Sequence, residues 1–277
     1  MTTSRRQLLG AVGAVSMLPI AGSSQTVARK GRLKQSVTKG CFARNTPMED
    51  ICRESARLGL KGVDLIGPAD WPLLKTYGLL STMCPGSGNI CHKDKLEANE
   101  KTLAANILLA ADAGMPNVIV TTGSRDAMSD EEGIENCANL LNRVKKLAED
   151  RNVSICMEML NTKVNHKGYW CDSTRLAVEV CKRAPSPRVK LLYDIYHMQI
   201  MEGDVIRTIR DNIQYIGHFH TGGNPGRHEI DDTQELNYRA IASAIVEAGF
   251  TGYLAHEYNP ARDPLKSLDQ AISICDV

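Results

Sequence analysis

The sequence predicts a single (β/α)8 barrel. Eight short apolar runs alternate with longer segments whose apolar residues recur at helical spacing, the pattern of βαβ units around a parallel sheet. Eight such units close a barrel. The chain has 277 residues, 43% hydrophobic and 23% charged. Residues 31–277 supply close to the roughly 250 that such a barrel uses as one domain. No linker or low-complexity stretch divides that span. A doubly wound open sheet is the competing topology; it would leave strands over, and no G-x-G-x-x-G follows the first strand.

The expected strands are 36–42, 62–66, 79–84, 117–122, 153–159, 190–193, 215–219 and 253–256. Between them, 47–58 places Ile51, Ser55 and Leu58 on one helical face, and 99–113 does the same with Leu103, Ile107 and Ala110. Over 130–150, Ile134, Cys137, Leu141, Val144 and Leu147 recur at spacings of three and four, behind a capping-box pair of Ser129 and Glu132. Further helices are expected over 173–183, 205–211, 237–248 and 264–275. Gly59, Gly114 and Gly249 follow helical segments where a left-handed terminal residue is needed.

Residues 1–30 read as a leader rather than as part of the fold. Arg5-Arg6 precede an apolar run from Leu8 to Ala21, shorter than the roughly 20 residues a spanning helix needs. Paired arginines before Leu-Leu resemble a twin-arginine (Tat) export signal, which implies a periplasmic protein with no stable membrane insertion. The chain has nine cysteines and no C-x-x-C pair, so neither a zinc ribbon nor a redox motif is indicated. Several lie in apolar runs, where a thiol packs as a small hydrophobe. No structural disulfide is expected. Export of an already folded chain reconciles unpaired thiols with an oxidising destination, and lets a metal be loaded beforehand.

Charge narrows the function classes. Lys and Arg number 33 against 32 Asp and Glu, a net charge of +1. A nucleic-acid binder usually carries a basic excess on one face. Aromatic residues make up only 5%, which disfavours a binding module built on aromatic platforms.

The chemistry gathers at the ends of the last four expected strands. Apolar runs lead directly into Glu158, Asp194, His220 and Glu257, spaced about one βα unit apart. In a barrel the C-terminal strand ends converge on one mouth, so all four can reach one ion. Three carboxylates and an imidazole form a hard, oxygen-rich set that suits Mg²⁺ or Mn²⁺, with Zn²⁺, Co²⁺ and Fe²⁺ also compatible. His197 follows Asp194 by three residues, and Arg227 lies in a Pro-Gly-Arg-His-Glu loop after the seventh strand; a guanidinium there can hold a carboxylate, phosphate or hydroxyl. Strand alternation turns His256 away from the mouth and sets His218 deeper than His220 on the same face. Both are expected to pack or to support other side chains.

Glu158-Met-Leu-Asn161, Asp194-x-Tyr-His197-Met-Gln199, His218-Phe-His220, Pro225-Gly-Arg227-His-Glu229 and His256-Glu257-Tyr resemble the hydroxypyruvate isomerase family. Its members are xylose isomerase-like TIM barrels, with ketose 3-epimerases as relatives. The resemblance covers about residues 33–277 and is most specific from Asp194 to Tyr258. It implies one divalent metal held by Glu158, Asp194, His220 and Glu257, with Glu158 and Glu257 also moving protons and His197 and Arg227 orienting substrate. His220 stands where the hydroxypyruvate isomerase branch tends to have Gln and the ketose 3-epimerase branch has His. The leader is a second departure from a typically cytoplasmic family.

The implied reaction removes a proton α to a carbonyl, with a metal stabilising the enediolate. The expected function is therefore a metal-dependent isomerase of a small hydroxy-keto acid or sugar, interconverting hydroxypyruvate and tartronate semialdehyde. Ketose 3-epimerisation and an exported metal-dependent lyase or dehydratase acting on keto-sugars are the alternatives. A phosphodiesterase resembling endonuclease IV would need a richer His/Asp/Glu cluster and a basic face. A non-catalytic sugar binder would not need two carboxylates at one carbon. No nucleotide signature is present, no nucleic-acid partner is expected, and a homo-oligomer is compatible with the sequence.

Overall fold

A computed structural model describes residues 29–277; the proposed leader and its twin arginines lie outside these, apart from its last two residues. The strands are β1 (Lys34–Thr38), β2 (Gly62–Asp64), β3 (Leu80–Ser81), β4 (Cys84–Ser87), β5 (Asn117–Val120), β6 (Ser154–Glu158), β7 (Val189–Asp194), β8 (Ile216–Thr221) and β9 (Tyr253–His256). All pair in parallel, in the order β3-β2-β1-β9-β8-β7-β6-β5-β4. This is the expected TIM barrel, with its third strand broken in two.

The break has a local cause. Its first half, β3, pairs with β2, and its second half, β4, pairs with β5 through a register shift between Cys84 and Ser87. Pro85, inside β4, has no N–H to give to the β5 ladder, which accounts for the register shift there. The Ser81 hydroxyl satisfies the backbone at Ile66 and Met83 instead, and the Leu65 N–H donates to Met83 O at 2.8 Å. The sheet is thus nearly closed, its two edge strands joined by two residues of chain.

The helices are α1 (Met48–Arg57), α2 (Trp71–Thr76), α3 (Leu96–Asp112), α4 (Asp130–Arg151), α5 (Thr174–Arg183), α6 (Ile195–Met201), α7 (Val205–Asn212), α8 (Tyr238–Glu247) and α9 (Pro264–Cys275). Ser129, Ser173, Asn237 and Asp263 cap α4, α5, α8 and α9 with side-chain oxygens, as helix starts require. Gly59, Gly114 and Gly249 hold positive φ where α1, α3 and α8 end. Two helices, α2 and α6, have no counterpart in the sequence reading. Both are too short to show a period, and α6 starts directly at the end of β7. Along α4, Gly133 admits Trp170 so closely that a Cβ there would stand 2.1 Å from the indole. Among the described residues no helix is long and apolar enough to cross a membrane. The nine cysteines are all free and buried.

His256 illustrates what the barrel wall does to a histidine. It is fully buried, with Nε2 2.9 Å from Gln35 Oε1 and Nδ1 3.1 Å from Thr221 Oγ1. Burial, aided by the positive charge of Arg29, lowers its pKa to about 3. The unfolded chain takes up this proton near pH 6.5 and the native state does not. Its contribution is therefore complete above pH 6.5 and is lost at up to about 1.4 kcal/mol per pH unit as pH falls toward 3. Between pH 6 and 4, denaturant midpoints of His256→Gln should fall less steeply than those of the unsubstituted protein. Equal slopes would show that His256 charges without cost.

Candidate active site

The C-terminal ends of β6 to β9 bring Glu158, Asp194, His220 and Glu257 together, with one ligand atom from each lying within 4.8 Å of the others. Glu158 is the last residue of β6, Asp194 the last of β7, His220 the penultimate residue of β8, and Glu257 follows β9 directly. His220 Nδ1 lies 3.9 Å from both Glu158 Oε1 and Asp194 Oδ2, and 2.5 Å from Glu257 Oε2. The four residues expected from strand-end spacing thus form one cluster. Asp194 also works locally: its Oδ1 accepts the His197 N–H at 3.2 Å and so caps α6. One residue thereby ends a strand, starts a helix and faces the cluster.

Three carboxylates at this separation, Glu158 and Asp194 buried and Glu257 half-buried, repel one another. Burial and the Glu257 charge push Glu158 up to about 8. Burial also opposes charge on Glu257 and Asp194, but their neighbours outweigh it. His220 and Arg227 hold Glu257 below the usual carboxylate range. Asp194 is lowered by His197, Arg227 and His220. His197 is itself brought down to about 4, chiefly by burial, so at neutral pH it is uncharged. Its help to Asp194 is then the backbone N–H, while the charge comes from Arg227 and His220. His220 goes the other way: burial would keep it neutral, yet Glu257 and Asp64 drive its pKa well upward.

These features fit a divalent cation. The donors are hard oxygens and one imidazole nitrogen. His220 Nδ1 is buried among the carboxylates without a hydrogen bond of proper geometry. With all three carboxylates ionised, their charge would exceed that of His220 and Arg227, and a divalent cation would remove the excess that otherwise holds Glu158 protonated.

Arg227 lies against the cluster, with Nη2 2.7 Å from Asp194 Oδ2 and 2.8 Å from Glu257 Oε2. Its guanidinium stacks over Tyr196 at 5.2 Å, and its buried Nε has no partner among the described residues. Positive φ at Arg227 (57°) and Gly226 (92°) turns the loop inward. Beside Arg227 and Glu257 is a cavity of about 240 Å³ that Thr38, Lys39 and Asp64 also line. His197 is fully buried, and its Nδ1 accepts from the Asn161 backbone N–H at 3.2 Å. The neutral ring therefore carries its proton on Nε2, which is 3.6 Å from Asp194 Oδ2.

Three participants were not assigned roles from the sequence. Asn161 holds His197 through backbone and side chain. Tyr196 supports Arg227. Asp64, at the end of β2, contacts His218 Nε2 at 2.6 Å and His220 Nε2 at 3.1 Å. Asn161 and Tyr196 fall inside the motifs quoted above. Asp64 ends β2 in the structure, whereas the sequence places it in the middle of the expected strand 62–66, where one acidic residue in an apolar run is its only signal.

The family model described as "Xylose isomerase-like TIM barrel" matches residues 71–275. The human "Putative hydroxypyruvate isomerase" is 29% identical over 138 residues, 50% of each chain. The match spans about half the length of the vertebrate relatives. The Escherichia coli (strain K12) "Hydroxypyruvate isomerase" is 25% identical over 225 residues, 75% of this chain and 86% of that one. Among solved structures, one from Brucella melitensis named AP endonuclease, family 2, superposes with a TM-score of 0.78 at 22% identity, covering 85% of this chain and 96% of its own. D-Psicose 3-epimerase from Clostridium cellulolyticum H10, with D-tagatose, gives 0.69 at 19% identity over 88% and 97%. At these identities the structural likenesses speak for the fold alone.

Proposed function

Since the chain belongs to the xylose isomerase-like TIM-barrel family, we propose that it is a metal-dependent isomerase of a small hydroxy-keto acid, interconverting hydroxypyruvate and tartronate semialdehyde. The observation that carries this reading is the Glu158–Asp194–His220–Glu257 cluster, buried except for Glu257, beside a small cavity that Arg227 and Lys39 line. About 240 Å³ suits a substrate of a few carbons. Its wall carries Arg227 and Lys39 beside Asp64 and Glu257, so a substrate carboxylate has cations to meet and its oxygens at the other end have the cluster.

A divalent cation held by the four side chains supplies Lewis acidity toward the carbonyl and neighbouring hydroxyl oxygens. The remaining work belongs to the chain. Arg227, at the cavity wall, has its guanidinium charge to offer the substrate carboxylate. His197, fixed by Asn161, is a neutral N–H donor beside Asp194. Glu257 takes the proton from C3 of hydroxypyruvate, and the C–H electron pair forms the C2–C3 double bond of an enediolate. Glu158 serves proton return to C2. The C3 oxygen loses its hydroxyl proton and becomes the aldehyde, while the C2 oxygen gains one.

The test is a substrate panel of hydroxypyruvate, tartronate semialdehyde, free ketoses and keto-glycosides, assayed with Mg²⁺, Mn²⁺ and Co²⁺. The reading requires the two acids to interconvert faster than any ketose turns over. Ketose 3-epimerisation is the second reading, favoured by His220 at the third ligand position, and preferential turnover of free ketoses would establish it. Release of an unsaturated product from keto-glycosides would instead indicate a lyase.

Export is part of the proposal, motivated by Arg5-Arg6 ahead of the apolar run from Leu8 to Ala21. Replacing both arginines with lysine should retain the protein inside the cell. Unchanged export in a Tat-deficient strain would contradict it.

A further inference from the structure

We infer that Asp64 is a positioning residue that fixes the ring of His220 so that Nδ1, and not Nε2, faces the carboxylate cluster. This rests on the reading of Glu158, Asp194, His220 and Glu257 as a metal site. Asp64 ends β2, whereas His218 and His220 lie on β8; β1 and β9 separate those strands in the sheet, so the contact crosses the barrel interior. All three side chains are buried, Asp64 at 1% exposure and both histidines at 0%.

Every contact of the Asp64 carboxylate is to a hydrogen-bond donor. Oδ1 accepts from Ser36 Oγ at 2.9 Å and from Thr82 Oγ1. Oδ2 meets His218 Nε2 at 2.6 Å and His220 Nε2 at 3.1 Å. An ionised carboxylate only accepts, so the nitrogen facing it must carry a proton. A cation bound at the cluster would replace the Nδ1 proton of His220, and the neutral ring would keep the Nε2–H that Asp64 accepts, leaving the lone pair on Nδ1. That atom is the one close to Glu158, Asp194 and Glu257. His218 Nδ1 has no partner, so the Asp64 contact is its one side-chain hydrogen bond among the described residues, and it adds a donor that anchors Asp64. The two histidine rings meet edge to face at 5.2 Å and 83°, which keeps both Nε2 atoms on one oxygen. Outer partners of this kind set the ring orientation and tautomer of histidine ligands, and their loss typically weakens metal binding about 10- to 100-fold.

Asp64, His218 and His220 could alternatively hold a second cation of their own. Contacts of 2.6 and 3.1 Å from two nitrogens to one oxygen are hydrogen-bond distances, and a cation there would have to replace those protons.

Titration of the full-length protein with Mn²⁺ by calorimetry tests the assignment. The unsubstituted protein should bind one ion per chain. Asp64→Asn keeps the side-chain shape but can present an N–H to His220, and should weaken binding about 10- to 100-fold at unchanged stoichiometry and unchanged circular dichroism. Equal affinity, or two ions per chain in the unsubstituted protein, would overturn the inference. No binding at all would remove the metal reading itself. Should Asp64→Asn fail to fold, ¹⁵N-edited imidazole spectra of the unsubstituted Zn²⁺-loaded protein decide the question. They should show the His220 proton on Nε2, and a proton on Nδ1 would overturn the assignment.

Discussion

Glu257→Gln is expected to lower kcat by about 10²–10⁴-fold, the usual contribution of a positioned general base. The amide keeps the size of the side chain and one oxygen that can still face the cluster, but it cannot accept the proton from carbon. Glu257 is well placed for both duties: it follows β9, its Oε2 is 2.5 Å from His220 Nδ1, and the same oxygen takes an Arg227 hydrogen bond at 2.8 Å. The substitution should therefore leave some metal binding while removing turnover. The measurement is kcat alongside metal content in the same preparation. Near-normal turnover with metal bound would reduce Glu257 to a ligand and transfer the base role elsewhere.

Asp194→Ala should have the broadest effect, because three functions converge on one fully buried carboxylate. It contributes to the cluster, it caps α6 through the His197 N–H, and it pairs with Arg227 at 2.7 Å. Loss of the cap alone costs about 0.5–2 kcal/mol. Leaving the buried end of Arg227 with Glu257 as its remaining carboxylate adds a further 1–3 kcal/mol or so. Activity should fall below detection, metal content should drop, and Tm should decrease by several degrees. Retained metal with an unchanged Tm would show that Asp194 does none of this.

The barrel and its cluster were legible in the sequence because both obey short rules. Strand alternation and helical spacing mark the eight units, and an apolar run ending in Glu158, Asp194, His220 or Glu257 places each of these at the same mouth. What the sequence does not display depends on contacts without a local signature. At the break in the third strand the Ser81 hydroxyl bonds the backbone oxygens of Ile66 and Met83, which needs the chain after β2 to be in place. Helix α6 has only seven residues, and its start signal, Asp194, was already read as a strand end. Asp64 lies more than 150 residues from His218 and His220, and only barrel closure joins them. Arg227 is expected from the sequence to orient substrate; the structure places it on Asp194 and Glu257, at the wall of the cavity.

Solvent-deuterium incorporation tests the central claim most directly. Hydroxypyruvate incubated in D₂O with the Mg²⁺- or Mn²⁺-loaded protein should gain deuterium at C3 and appear in part as tartronate semialdehyde deuterated at C2. Chelation should stop both, and restored metal should restart them. Isomerisation without any deuterium uptake, or undiminished exchange in the chelated protein, would contradict proton abstraction at a metal centre built from Glu158, Asp194, His220 and Glu257.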